Sequence, residues 1–193
     1  MTQFISLDID GTVSEYPQYW LSYLNSRLKS DFKTTAKARL EIGLELYEEV
    51  KTEWRHGPEY EIPTRDEIKV LSKIIYSEGF KIVMSTRRPI RRFPNMEKKI
   101  SEWLTRNHIH HEAIQEKSRE NFSKFQVTCH IDDEYSEIEK YMKSRYPKKL
   151  IWIRDPNTYG NSHVATDVKV IVAARQDLVQ VFSNDILEKR NGL

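Results

Sequence analysis

The sequence predicts an α/β domain, a mostly parallel sheet covered by helices on both faces. Short apolar or β-branched runs recur at residues 3–7, 80–85, 127–131, 150–153 and 168–173, with a weaker one at 111–114. Amphipathic segments of helical length separate them, and strands alternating with helices place crossovers over both faces of one sheet. A chain of 193 residues with 38% hydrophobic side chains can bury one substantial core, with a small accessory unit folded from an insertion. Ligands of such sheets bind beyond the carboxyl ends of the strands, so residues just after each run are the first place to look for chemistry.

The first run leads straight into Leu7-Asp8-Ile9-Asp10-Gly11-Thr12. The alternation is then interrupted. Tyr16, Trp20, Leu24 and Leu28 fall on one face of a first helix; Leu40, Leu44, Tyr47, Val50 and Trp54 fall on one face of a second, after a cap at Thr34 or Thr35. Inserted after the first strand, these helices lie either above its carboxyl end or against the sheet's flank. The expected division is a core of residues 1–14 and 58–193 and an insertion of 15–57, with 57–63 as linker. Thr64 is the expected N-cap of the next helix, with Glu67 three residues on, Ile68, Leu71 and Ile75 inward and Gly79 as the stop. Further helices are expected at 94–107, 118–125, 134–145 and 176–188.

The bulk numbers exclude several function classes. The 31 basic and 29 acidic residues leave a net charge of +2, which gives no footprint for nucleic acid. No apolar run approaches the roughly 18 residues a membrane span needs, and no export signal opens the chain. The single cysteine, Cys129, permits no internal disulfide and suits a reducing cytoplasm; on its strand it reads as inert core. The expected setting is cytoplasmic. Asn107-His108-Ile109-His110-His111 lacks the partners of a metal site and reads as a polar strand edge.

Asp8 and Asp10 emerge together at a strand end, their spacing fixed by a short glycine turn. One carboxylate can attack phosphorus while its neighbour moves protons, and oxygen ligands suit a hard cation such as magnesium. A calcium loop would need further acidic ligands and a closing glutamate that are missing here.

At this point the sequence resembles the haloacid dehalogenase superfamily of phosphohydrolases. Ile82-Val83-Met84-Ser85-Thr86 ends the second strand where that family places a hydroxyl that binds the phosphoryl group; Thr86 fits, with Ser85 as the alternative one residue back. The family's lysine matches Lys117, which precedes a short helix leading into the next strand, whereas Lys124 sits late in that helix. His130-Ile131-Asp132-Asp133-Glu134 supplies its second acidic pair. The four elements occur in family order over about two thirds of the chain.

The resemblance implies a Rossmann-like core with a small helical cap after the first strand, and a magnesium-dependent phosphatase. Asp8 would be the nucleophile and Asp10 the acid and base; Thr86 and Lys117 would grip the phosphoryl oxygens; Asp8, Asp10, Asp132 and Asp133 would hold Mg2+. The wider resemblance is to members with a small helical cap, such as the deoxyribonucleotidases, and, around Ser85-Thr86-Arg87-Arg88, to the phosphatase domain of polynucleotide kinases. Arg87 and Arg88, with Arg91 and Arg92, would face a second phosphate or a nucleic-acid end, or simply solvent. Tyr16, Tyr19, Trp20 and Trp54 would stack a base or form the insertion's own core. The expected substrate is a small phosphorylated molecule such as a nucleotide. The alternatives are a polynucleotide-end phosphatase and a noncatalytic phosphate-ligand-binding or partner-binding module. The loop at 155–166 would rim the cleft, and the tail after Glu188 would fray.

Overall fold

The computed structural model describes residues 2–154 and 169–188, so the expected rim loop at 155–166 and the tail lie outside the described residues. Its centre is a six-stranded parallel sheet of β1 (Phe4–Asp8), β2 (Lys81–Thr86), β3 (Ala113–Glu116), β4 (Val127–Asp132), β5 (Lys149–Arg154) and β6 (Val170–Ala174). The order is β3-β2-β1-β4-β5-β6, so β1 lies in the middle, where the winding reverses. The α/β expectation is met, and the weak run at 111–114 is a real strand shifted to Ala113–Glu116.

Period-two alternation divides the strands between two apolar layers. Ile5, Leu7, Ile82, Met84, Cys129, Ile131, Ile151 and Ile153 face the larger one. There they meet α3 (Asp66–Ser77) and α4 (Met96–Arg106), together with α7 (Leu178–Phe182). Leu150 and Trp152 face the other layer, against Phe122 of α5 (Arg119–Lys124) and Ile138 and Tyr141 of α6 (Tyr135–Tyr141). No described helix is long and apolar enough to cross a membrane.

Helices α1 (Gln18–Leu28) and α2 (Thr35–His56) share a third apolar cluster with Trp20, Leu24, Tyr47, Val50 and Trp54 inside. Thr34 caps α2 by accepting from Lys37 N at 3.1 Å. The expected single face of α2 fails at Gly43, whose φ of 77° breaks the helix. Leu40 and Leu44, on either side of the break, are exposed, while Tyr47, Val50 and Trp54 are buried. Trp20 donates to the Tyr47 hydroxyl at 2.8 Å and packs edge-on to Trp54; the base-stacking alternative is overturned for both tryptophans.

Two boundary expectations need physical correction. The N-cap of α3 is Arg65, with no side-chain cap, and the Thr64 hydroxyl donates to Asn107 Oδ1 at 3.1 Å. The supposed linker contains a 3₁₀ turn, Pro58–Glu61, that buries Glu59 and Tyr60. Further on, the helix expected at 134–145 ends at Tyr141, and that expected at 176–188 is a short α7 followed by a π-turn, Ser183–Glu188.

Candidate active site

The parallel strands end side by side, and their last residues converge. Asp8 closes β1, Thr86 closes β2, Asp132 closes β4, and Lys117 follows β3 directly, its N–H bonded to Thr86 O at 2.9 Å. The Lys117 ammonium bridges Asp8 and Asp132, 2.7 Å from a carboxylate oxygen of each. Asp133 joins them: oxygens of Asp8, Asp132 and Asp133 all lie within 4.8 Å of one another. Among the described residues this is the one such group of potential metal ligands, and the histidines at 108–111 form none. His111 bonds Ser101 instead, and His110 stacks on Tyr76.

The turn after β1 is held from both sides. Arg65 and Arg175 donate to Gly11 O at 3.2 and 3.0 Å, and Thr12 donates to Asp133 Oδ1 at 3.0 Å. Gly11 sits at φ 96°, and a Cβ there would overlap the Asp133 carboxylate, so glycine is needed both for conformation and for space.

Beneath the acids runs a polar line on the same sheet face. Gln115 and Ser6 both donate to Ser85 Oγ, at 3.1 and 2.7 Å. His130 bonds Ser6 Oγ through Nδ1 at 2.9 Å and Asp132 Oδ2 through Nε2 at 3.0 Å. Ser85 is thus spent inside the sheet, while Thr86 Oγ1, one residue nearer the strand end, accepts from Arg88 N at 3.0 Å.

Crowding shapes the charges. Burial pushes Asp8 well above the usual carboxylate range, with Asp132 and Asp133 adding to the rise and Lys117 opposing it. Burial and the charge of Asp132 push Asp133 up to about 7. Burial would raise Asp132 too, but Lys117 and His130 hold it at about 2. Burial works against the Lys117 charge, yet Asp8 and Asp132 keep its pKa above the ordinary lysine value. Three carboxylates and one ammonium leave a formal charge of −2 in a largely buried cluster, and a divalent cation on oxygen ligands matches both that charge and that chemistry. The residues present therefore fit a bound Mg2+.

Asp10 is not part of that cluster. It faces Arg88, whose Nη2 is 2.6 Å and whose Nε is 3.1 Å from its carboxylate oxygens. Arg88 also reaches Glu59 Oε1 at 3.4 Å and is only 3% exposed. Burial favours the neutral acid, but the charge and hydrogen bonds of Arg88 hold Asp10 below its ordinary pKa. Arg87 is paired with Glu134, and with Glu137 at 3.5 Å; Arg91 lies outside, 3.5 Å from Glu116.

Asp8, Asp10 and Asp133 open into a cavity of about 470 Å³ that Tyr16, Lys51, Arg55, Glu59, Arg87 and Arg88 also line. Thr86, Asp132 and the Lys117 side chain are buried behind this lining. A larger surface groove of about 730 Å³ beside α4 and β3 contains none of the clustered acids. Sequence reasoning missed Glu59 and Lys51. Nothing local marks Glu59. Lys51 did leave a signal, for it falls among Tyr47, Val50 and Trp54 on the apolar face of α2, where a lysine is out of place.

No protein-family model matches the chain, and no curated protein matches it in sequence. Solved structures do. A predicted phosphatase from Clostridium acetobutylicum superposes with a TM-score of 0.63 at 13% identity, over 97% of this chain and 99% of that one. For a predicted phosphoglycolate phosphatase from Haemophilus somnus the values are 0.62 and 14%, over 93% and 97%. A HAD family hydrolase from Deinococcus radiodurans with bound phosphate and sodium gives 0.58 and 10%, over 95% and 96%. The chain has the haloacid dehalogenase-type hydrolase fold.

Proposed function

We propose that this protein is a magnesium-dependent phosphoric monoester hydrolase with Asp8 as its nucleophile. The observation that carries the reading is the placement of Asp8, Lys117, Asp132 and Asp133 at adjoining strand ends, with Asp8 and Asp133 opening to a cavity. In the first step an Asp8 oxygen attacks phosphorus, the bond to the leaving oxygen breaks, and Asp10 gives that oxygen a proton. In the second, water attacks the aspartyl-phosphate, Asp10 takes the proton, and phosphate leaves Asp8. Arg88 holds Asp10 in the ionised form that the second step uses. A phosphate dianion entering beside Asp10 raises its pKa and so favours the protonated form that the first step uses. Lys117 sets the Asp8 carboxylate in place and offsets negative charge at the transferring group, and Thr86 offers its hydroxyl at the same strand end. Magnesium, held by Asp8, the Asp10 backbone, Asp132 and Asp133, would supply charge neutralisation and orientation of the phosphate.

The test is hydrolysis of an aryl phosphate with and without Mg2+. Turnover that a chelator abolishes is expected. Absence of turnover with magnesium present, alongside measurable phosphate binding, would favour the noncatalytic alternative. Gly11→Ala bears on the metal, because the added methyl displaces Asp133: magnesium titration of activity is expected to show affinity weakened by about 10-fold or more. Unchanged affinity would remove Asp133 from the ligand set.

The bounded cavity between the strand ends and α2 supports a small substrate over a polymer, with α1 and α2 as the proposed cap. Nucleoside monophosphates should then be hydrolysed far faster than a phosphorylated oligonucleotide, and the reverse order would favour the polynucleotide-end reading. With Trp20 and Trp54 committed to packing, the nucleotidase reading rests on the sequence resemblance.

A further inference from the structure

The part of the cavity lining that comes from α2 is basic where the strand ends are acidic. Lys51 is its centre. It is 7% exposed, and its ammonium lies 4.5 Å from the Tyr16 ring centre and 4.2 Å from that of Trp20. No carboxylate of the described residues lies within ion-pairing distance of it. An unpaired buried ammonium is unfavourable, and burial lowers the Lys51 pKa to about 8 even though Asp10 and Glu59 counter it. Methionine would fill the same space without that penalty.

The cations nearer the strand ends are already matched: Lys117 with Asp8 and Asp132, Arg88 with Asp10 and Glu59, Arg87 with Glu134. Beside Lys51, Arg55 has a buried Nε without a partner among the described residues, and its nearest carboxylate, Glu48, stands 3.9 Å from Nη1. Lys51 thus lines a cavity of about 470 Å³ with a positive charge that no carboxylate of the described residues pairs, and Arg55, beside it, is met among them only by Glu48 at 3.9 Å.

We propose that Lys51, with Arg55 beside it, forms a subsite for a second anionic group on the substrate, so that the preferred substrates are small phosphate esters carrying a carboxylate or another phosphate. The inference rests on the phosphatase reading above and names its substrate class. A charge-assisted pair made in a site shielded from water supplies both affinity and selection against esters that lack the second anion.

The experiment compares kcat/KM of the full-length wild type, Lys51→Met and Lys51→Arg for three kinds of ester: an aryl phosphate, phosphorylated hydroxy acids and sugar bisphosphates. The readout is the preference, the ratio of kcat/KM for a two-anion ester to that for the aryl phosphate, which does not depend on the fraction of folded enzyme. Wild type is expected to prefer at least one two-anion series, and which series it is identifies the second group. Lys51→Met should reduce that preference about 10- to 100-fold, mainly through KM, with Lys51→Arg restoring most of it. Equal preferences in wild type and Lys51→Met, or no two-anion preference in wild type, would overturn the subsite while leaving the phosphatase standing. A wild type that hydrolyses none of the esters with Mg2+ would overturn both.

Discussion

Asp8→Asn is expected to lower aryl phosphate turnover by about 10⁴-fold or more, because the amide cannot form the aspartyl-phosphate on which both steps depend. The fold should survive the change. Asp8 is buried at the end of β1, its burial disfavours the charged form, and Lys117 keeps Asp132 as a partner when Asp8 is neutral. The sign follows from that pKa. A carboxyl whose folded pKa is raised costs stability from its unfolded pKa upward, and the full cost is reached above the folded pKa, so replacing it by a neutral isostere should hold or raise the melting temperature of the metal-free protein at neutral pH. Steady-state kinetics and a thermal melt of the same preparation check both halves. Substantial residual turnover would remove Asp8 from the nucleophile's role.

Arg88→Met should have the largest effect on stability. Arg88 is enclosed between Asp10 and Glu59, and its loss leaves Glu59, itself 2% exposed, as a buried carboxylate without its cation. Breaking such a pair from one side costs about 3–5 kcal/mol, which for a chain of this size corresponds to a melting temperature lower by about 6–20 °C. Adding Glu59→Gln should recover part of the loss, a coupling that a double-mutant cycle measures. A melting temperature unchanged in Arg88→Met would mean that the pair does not hold the Pro58–Glu61 turn against the strand ends. Asp10 loses the same cation, so its pKa should rise.

Continuous apolar runs were enough to read the inner strands, because a parallel strand covered on both faces is apolar along most of its length. The order of Asp8, Thr86, Lys117 and Asp132 was equally legible, since a parallel sheet delivers strand ends to one edge whatever the loops between them do. Features that depend on what lies across space were not. Thr64 carries the right side chain for a cap, but the helix starts one residue later and the Thr64 hydroxyl donates to Asn107, just after α4 and 43 residues on. Glu59 in a Gly-Pro segment reads as a solvated linker charge until Arg88 is placed beside it. The helix breaks at Gly43, and Leu40 and Leu44 beside the break face solvent, so a face that looked continuous in sequence is interrupted. Arg87 and Arg88 read as cations for a ligand or for solvent, and the fold pairs them with Glu134, Asp10 and Glu59 at the cavity wall, which no local pattern foretells. Lys51, a charged residue within the apolar face of α2, is legible in the sequence as out of place there.

A covalent intermediate on Asp8 is tested most directly by acid-quenched mass mapping during turnover. With Asp10→Asn protein slowing the hydrolysis step, aryl phosphate and Mg2+ should leave a phosphoryl group on the peptide containing Asp8, lost when Asp8→Asn is added. A phosphoryl group on any other residue, or turnover by wild type with no covalent adduct under any quench, would contradict the account.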